Sequence, residues 1–560
     1  MSPKDNDTKD NLKTGGEILV ESLRVNGVDK VFCVPGESYL AALDAFHDVP
    51  EIQLVVCRQE SGAAMMADTH ARLTGRPGVC FVTRGPGATN ASGGIHIAMQ
   101  DSTPLILLIG QIARDHSERE AFQEVDYVQM FTPLAKAVEQ IETVEDVPAT
   151  IARAFETAQS GRPGPVVLAL PEDMLRDACE TPMVEPVEIE SRAPSSGEME
   201  RLHHILGDCD RPLMLVGGGA WSDQARTDII AFAEANNLPV CCSFRRHDLF
   251  RNDHPNFVGE IGIAPNPKLV ERLNQADMLL VVGARLGEMT TQGYTLLNEP
   301  TPIQDLVHVH TDKDELGKVY KADLAIHSSI GTFAAAARDL ASVKSDHWKE
   351  HTEAARQDYL NGREPSPYEG ALNLGQVMAD IDAVLGDDGI VCVDAGNSSG
   401  WPQRFIPISG DRRLLGPTSG AMGYGVPAGL AAKTVYPNRV VVVCVGDGCY
   451  GMTGQEISTA VKDGLNPVIL VFNNEMYGTI RLHQERRHPD RVIATDLNNP
   501  DYAAVARASG AFGEIVEATE EFRPALQRAL QSGLPAVIEL RMDRDLISTR
   551  TTLRDLRGAS

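Results

Sequence analysis

Short apolar runs recur along this chain, each closing on a turn rich in Gly, Ser, Pro or Asn and followed by a stretch with helical spacing. In a first block, from about Leu12 to Met183, the runs are Lys30–Val34, Ile52–Cys57, Gly78–Val82, Leu105–Ile109 and Val166–Leu170. A Pro/Glu/Ser stretch, Pro186–Gly197, reads as a linker. A second block, Glu198 to about Ser342, carries Pro212–Val216, Pro239–Cys242, Met278–Val282 and Leu306–His310. A charged segment, Ser345–Glu369, leads into a third block ending near Met542, where a valine run from Val440 and the run Val468–Phe472 stand out. Apolar runs without polar alternation suit strands buried on both faces; with helices between them they predict parallel, doubly wound α/β sheets. Three such domains are expected, at residues 12–185, 198–342 and 371–545. The first and third share the order strand, glycine-rich turn, helix, which suggests a duplicated fold without an exact repeat.

Composition narrows the partners. The 560 residues carry 51 basic and 78 acidic side chains, a net charge of −27. Nucleic acid and anionic membrane surfaces need clustered Lys and Arg, so neither is expected, whereas a small anionic substrate needs only a few local groups. No apolar stretch approaches the roughly 18 residues of a membrane span, and the polar N-terminus lacks the apolar core of a signal peptide, so a cytoplasmic address is expected. The ten cysteines show no C-x-x-C pair, and several sit in strand-like runs where a buried, reduced thiol is the ordinary role.

The chemistry concentrates between Val440 and Gln484. The valine run ends in Gly446-Asp447-Gly448, and the next apolar run ends in Asn473-Asn474. Adjacent parallel strands bring Asp447 and Asn474 to one sheet edge. There a carboxylate and a carboxamide oxygen, joined by the Met476 carbonyl, make a hard-oxygen set suited to Mg²⁺ holding a diphosphate. Gly446 and Gly448 admit close backbone approach to phosphate, and a helix starting near Gly454 is expected to add amides. A lone Gly-Asp-Gly is equally a strand-end turn whose Asp caps a helix; the Asn pair, 27 positions on, sets this one apart.

This pattern resembles the GDG…NN signature of thiamine diphosphate enzymes. The resemblance implies thiamine diphosphate and Mg²⁺ as cofactors, with Cys449, Tyr477 and Gly478 joining the cradle. Within Thr418–Gly425 it makes Met422 the apolar prop that bends the cofactor and the Gly420 carbonyl the partner of its 4′-amino group. Asn397 and Ser398, in Asp394-Ala-Gly-Asn-Ser-Ser, match diphosphate contacts. In the first block Glu60, just past an apolar strand, becomes the glutamate that binds N1′ of the aminopyrimidine; taken alone it is equally a favourable charge at a helix start. In that family the pyrimidine and the diphosphate are held by different subunits, so a homodimer is the minimum and a homotetramer the expected assembly.

Nearer still, the chain is similar to acetolactate (acetohydroxyacid) synthase large subunits. The text from Pro77 to Gln111 includes Gly85-Pro86-Gly87-Ala88-Thr89-Asn90 and ends Leu-Ile-Gly-Gln, and Phe122-Gln123-Glu124 follows. The resemblance places Pro86 and Asn90 near the thiazolium and makes Gln111, Phe122 and Gln123 active-site candidates. Three departures fall on the substrate side. Glu37 replaces a glycine in Pro35-Gly36-Glu37, Met289 stands where a carboxylate-binding arginine is expected, and His483 replaces an acceptor-selecting tryptophan. Val216-Gly217-Gly218-Gly219-Ala220 and the acidic run Asp312–Glu315 leave FAD, ADP or nothing open for the middle block. The implied activity is decarboxylation of a pyruvate-like 2-oxo acid with transfer of the acyl unit to an acceptor. Alternatives in the same superfamily are a 2-oxo acid decarboxylase, an aldehyde lyase or carboligase, and a diketone hydrolase; a catalytically idle nucleotide-binding homologue is the reading from another class.

Overall fold

The computed structural model describes residues 12–365 and 370–558. Chain packing divides it into two compact units, one ending at Glu190 and the other starting at Ser191.

The first unit is one six-stranded sheet with helices on both faces. Its strands are β1 (Lys30–Cys33), β2 (Gln53–Val56), β3 (Gly78–Val82), β4 (Leu105–Gln111), β5 (Ala137–Gln140) and β6 (Pro165–Pro171), all parallel, in the order β2-β1-β3-β4-β6-β5. Strands β3, β4 and β6 are buried along their whole length, as their unbroken apolar runs require. Two helices start at the carboxyl edge, α1 (Glu60–Thr74) after β2 and α2 (Pro86–Asp101) after β3. They pack so closely that a Cβ at Gly94 would collide with that of Ala64. Small residues on both helices therefore bring the two N-termini side by side.

The second unit holds two further parallel sheets. In the middle one the strands β7 (Pro212–Val216), β8 (Val240–Ser243), β9 (Phe257–Ile261), β10 (Met278–Val282), β11 (Asp305–His310) and β12 (Leu324–His327) run in the order β9-β8-β7-β10-β11-β12. The charged segment that follows forms a helix, α3 (Asp346–Asn361), packed on this layer. Trp348 is fully buried there and donates its indole N–H to the Asn236 carbonyl at 3.0 Å. In the last sheet β13 (Ile390–Val393), β14 (Arg413–Leu415), β15 (Val441–Gly446), β16 (Val468–Asn473), β17 (Phe512–Val516) and β18 (Ala536–Arg541) run in the order β14-β13-β15-β16-β18-β17.

The first and last sheets thus share one strand order, which supports the suggestion of a duplicated fold. Three doubly wound parallel sheets agree with the expected α/β class. Five edge strands escape a reading of apolar runs, β5, β9, β12, β14 and β17, and so does β18, which is buried beside one of them. Among the described residues no helix is long and apolar enough to cross a membrane. All ten cysteines are buried and none is in a disulfide.

Candidate active site

In the first unit the carboxyl edge of the sheet gathers loops that are far apart in sequence. Glu60 opens α1, with the Gln59 side chain capping the helix through the Gly62 amide at 3.1 Å. The α2 residue Asn90 donates from Nδ2 to Glu60 Oε2 at 2.9 Å. The other carboxyl oxygen, Oε1, lies 3.5 Å from where a Cβ on Gly87 would sit, so glycine at that position keeps it uncovered. Pro86 and Asn90 are exposed on α2.

The turn before α2 is anchored by the Gly85 amide, which donates to the Tyr127 hydroxyl at 2.7 Å; burial pushes that phenol up to about 12. Gln123 packs on the same turn, at φ +66°, 2.7 Å from the Cβ that Gly85 lacks. The loop holding it is tied by Glu124, whose carboxylate accepts the Glu118 and Ala121 amides. Phe122 in that loop is 76% exposed. Gln111 is buried and spends its carboxamide locally, donating to the Val125 carbonyl at 3.0 Å and accepting from the Ile112 amide at 2.9 Å. In this unit it braces the loop that carries Phe122 and Gln123. Glu37 is exposed at the start of a 3-10 turn, and its neighbour Ser38 hydrogen-bonds Thr83 at 2.8 Å.

In the second unit a cavity of about 430 Å³ opens at the carboxyl edge of the last sheet, over β13 and β15, where the strand order reverses. Its wall brings together every cofactor candidate of the third block: Asn397, Ser398, Gly420, Met422, Gly446, Asp447, Gly448, Cys449, Asn474, Met476, Tyr477 and Gly478. Two of the substrate-side departures stand apart from it. Met289, 39% exposed, and His483, exposed on α6 (Gly478–Arg487), do not line the wall, although Ile480 of the same helix does.

Asp447 is only 3% exposed. Its Oδ1 accepts the Gly448 amide at 2.9 Å and its Oδ2 accepts the Asn499 carboxamide at 2.8 Å, while no cationic side chain pairs with it among the described residues. Burial therefore pushes this carboxyl above the ordinary carboxylate range. A divalent cation beside it, shared with the Asn474 carboxamide one residue past β16, would supply the missing counter-charge. Among the described residues no three His, Cys, Asp or Glu side chains cluster as a metal site. A cation here would be served by a mixed set of one carboxylate, one carboxamide and a backbone carbonyl, hard oxygens of the kind Mg²⁺ accepts. The donor chemistry fits.

Two expectations change in detail. A 3-10 turn does start at Gly454 and runs into a helix over Ile457–Asp463, but a further helix precedes it, α5 (Asp447–Thr453), whose first-turn amides belong to the Gly-Asp-Gly segment. Gly448 is required mainly by packing, since a Cβ there would lie 2.7 Å from the Tyr477 ring.

The segment carrying Gly420 and Met422 is held by a residue that sequence reading passed over. Asp394, fully buried at the end of β13, accepts the amides of Ala395 (2.7 Å), Gly423 (2.9 Å) and Gly425 (2.8 Å). Burial raises its carboxyl too. The signal was present, as an Asp closing an apolar run just as Asp447 does. Arg245, 2% exposed after β8, reaches across from the middle layer and donates to the carbonyls of Pro417 and Asp394, the latter at 2.7 Å. Nothing local in the sequence marks it. Asn397 donates to the Ile547 carbonyl at 2.8 Å and accepts from the Thr479 hydroxyl at 3.0 Å, which fixes its loop beside Ser398.

In the middle layer two of the three glycines after β7 have a packing reason. A Cβ on Gly217 would strike Ser243, and Gly218, at φ +72°, faces the Gly283 carbonyl. The Trp221 indole and the Arg246 guanidinium take the Gly217 and Gly218 carbonyls. Asp312 caps its own loop by accepting the Asp314 amide at 3.0 Å.

Comparison with known proteins follows the same division. Residues 13–130 match the N-terminal TPP binding domain of thiamine pyrophosphate enzymes, residues 199–337 their central domain and residues 394–540 their C-terminal TPP binding domain. The chain is 30% identical over 540 residues to the acetolactate synthase isozyme 2 large subunit of Escherichia coli, covering 94% of this chain and 95% of that one. It is 31% identical over 546 residues to the acetolactate synthase large subunit of Parasynechococcus marenigrum, covering 95% and 88%. With the isozyme 3 large subunit of Escherichia coli it shares 32% over 539 residues, covering 93% and 92%. Matched domain by domain and in order, the chain belongs to the thiamine diphosphate-dependent enzymes.

Proposed function

We propose that this enzyme uses thiamine diphosphate with Mg²⁺ to decarboxylate a small 2-oxo acid and transfer the acyl unit to an acceptor carbonyl, as the name of its acetolactate synthase relatives suggests. The observation that carries the reading is Asp447, a buried carboxylate without a cationic partner, beside Asn474 in a cavity also walled by Met422 and Gly420. When bound, the cofactor supplies an electron sink next to the reacting carbonyl. Asp447, Asn474 and the Met476 carbonyl would hold the metal. Met422 and the Gly420 carbonyl would orient the organic part, on a segment kept rigid by Asp394. Glu60 is assigned the proton transfer: Asn90 fixes Oε2, and the uncovered Oε1 is the atom that holds and passes the proton.

The reading carries with it a homodimer as the smallest active form and a homotetramer as the expected assembly, because in the family the two halves of the site come from different subunits. It also assigns the three domains to residues 12–185, 198–342 and 371–545, and places the enzyme in the cytoplasm. The gain of a carboxylate at Glu37 and the loss of a positive charge at Met289 favour an acceptor other than a second 2-oxo acid.

The deciding experiment incubates the full chain with thiamine diphosphate, Mg²⁺ and a panel of 2-oxo acids and aldehydes, following products by NMR. Consumption of a 2-oxo acid with a C–C-coupled product is expected. Release of free aldehyde alone would identify a simple decarboxylase instead, and no cofactor-dependent turnover across the panel would overturn the reading.

A further inference from the structure

The Asp447 carboxylate is not set by its own strand and helix alone. Asn499, in the loop between α6 and α7 (Tyr502–Ala508), donates from Nδ2 to Asp447 Oδ2 at 2.8 Å and to Asn473 Oδ1 at 2.9 Å. The Tyr502 hydroxyl stands 3.1 Å from Asn499 Oδ1 and 3.3 Å from the Asp447 carbonyl oxygen. Asn473 donates from Nδ2 to Glu539 Oε1 at 2.9 Å, and the Tyr502 amide donates to Glu539 Oε2, also at 2.9 Å. Asn473, Asn499, Tyr502 and Glu539 therefore close a ring of hydrogen bonds drawn from two strands, a loop and a helix. Asp447 is tied to that ring through Asn499.

The ring fixes which end of each carboxamide points where. Glu539 Oε1 takes the Asn473 nitrogen, leaving the Asn473 oxygen to receive the Glu475 amide at 3.1 Å and Asn499. Asn499 then faces two oxygens, so its nitrogen lies toward Asp447 and Asn473 and its oxygen toward Tyr502. The Gly448 amide on Oδ1 and Asn499 on Oδ2 are joined by the Glu475 and Met476 amides, which also hydrogen-bond the carboxylate. Its plane is thereby set about the Cβ–Cγ bond, with Asn499 the side-chain donor on Oδ2.

We propose that Asn499 is a positioning residue that presets the Asp447 carboxylate for its divalent cation. The proposal rests on the reading of Asp447 as a Mg²⁺ ligand. Asn499 is only partly buried and lies in a loop, so truncating it opens no core cavity; what it removes is the orientation of the ligand. Residues that orient metal ligands typically carry a ~10–100-fold share of metal affinity.

The test uses the full chain and needs no turnover. Thiamine diphosphate binding is measured by calorimetry across a series of Mg²⁺ concentrations, and Mn²⁺ binding by electron paramagnetic resonance. If the native protein binds no thiamine diphosphate with Mg²⁺, or Asp447→Ala leaves the Mg²⁺ requirement unaltered, the metal reading fails and takes the proposal with it. Where those controls behave, Asn499→Ala is expected to raise the half-saturating Mg²⁺ by about 10-fold or more while the Tm of the metal-free protein holds. Tyr502→Phe, which keeps the Asn499 carboxamide but releases its oxygen together with the Asp447 carbonyl, should shift it in the same direction by less. An unchanged Mg²⁺ requirement in Asn499→Ala overturns the proposal alone. Should that variant also lose metal-free stability, Tyr502→Phe decides, and no shift there overturns it.

Discussion

Glu60 and Asn90 start on different helices and meet at 2.9 Å, so one carboxyl oxygen is committed and the other left open. Glu60→Gln keeps the shape and the contact with Asn90 but removes the proton-transfer group. Turnover is expected to fall by about 10²-fold or more, with thiamine diphosphate affinity nearly intact. Asn90→Ala should cost less, because the carboxylate survives with its orientation loosened; kcat measured beside calorimetric binding separates the two. Glu60, Asp447 and Met422 could be named from the sequence because each lies in a short stretch of text that resembles a family motif. Asp394, Arg245 and Asn499 were not read there. Their hydrogen-bonding partners lie tens of residues or more along the chain, as Gly425 does from Asp394 and Asp447 from Asn499. Only the folded sheet brings them within reach.

At the scale of elements, five of the strands that escaped the sequence reading lie at sheet edges, while β18 escaped although it is buried inside its sheet. Ala137–Gln140 has no fully buried residue and Phe512–Val516 only one, so their composition mixes polar and apolar positions and gives no clean period. The helix α5 was not expected, since Gly446 and Gly448 read as a loop while the backbone at Asp447 is already helical. The contact between α5 and the Tyr477 ring makes a specific prediction. Gly448→Ala should destabilise the enzyme by about 1–3 kcal/mol through overpacking. In a Tyr477→Ala background the same substitution should cost markedly less, a coupling that urea unfolding midpoints of the double-mutant cycle would reveal. Equal costs in both backgrounds would mean that the ring contact does not govern this position.

At the scale of the whole molecule, the middle layer acts on the cavity through Arg245, whose guanidinium holds the carbonyls of Pro417 and Asp394 on either side of the Gly420–Met422 segment. Arg245→Met would strand those carbonyls. A loss of about 3 kcal/mol is expected, together with weaker thiamine diphosphate binding; full stability in urea unfolding would refute the clamp. Acid sensitivity follows from two buried histidines. Burial lowers His308 to about 4, where its Nε2 contacts the Ala284 carbonyl at 3.0 Å, and lowers His70 to about 4 against the opposing pull of Asp29. Between pH about 6.5 and about 4 the unfolded chain binds more protons than the folded one, so stability rises with pH and is lost as pH falls through that window. Each histidine contributes about 3 kcal/mol to this loss, and His308→Asn should remove its share from the pH dependence of the unfolding midpoint. By itself the sequence determined the α/β class, the three layers and the third-block residues that gather at one cavity, because apolar runs and strand-end motifs are local patterns that survive without a fold. The tertiary structure alone decided how those residues are aimed. A carboxylate becomes a usable ligand only when distant amides and carboxamides, brought to one sheet edge by parallel crossovers, fix its plane.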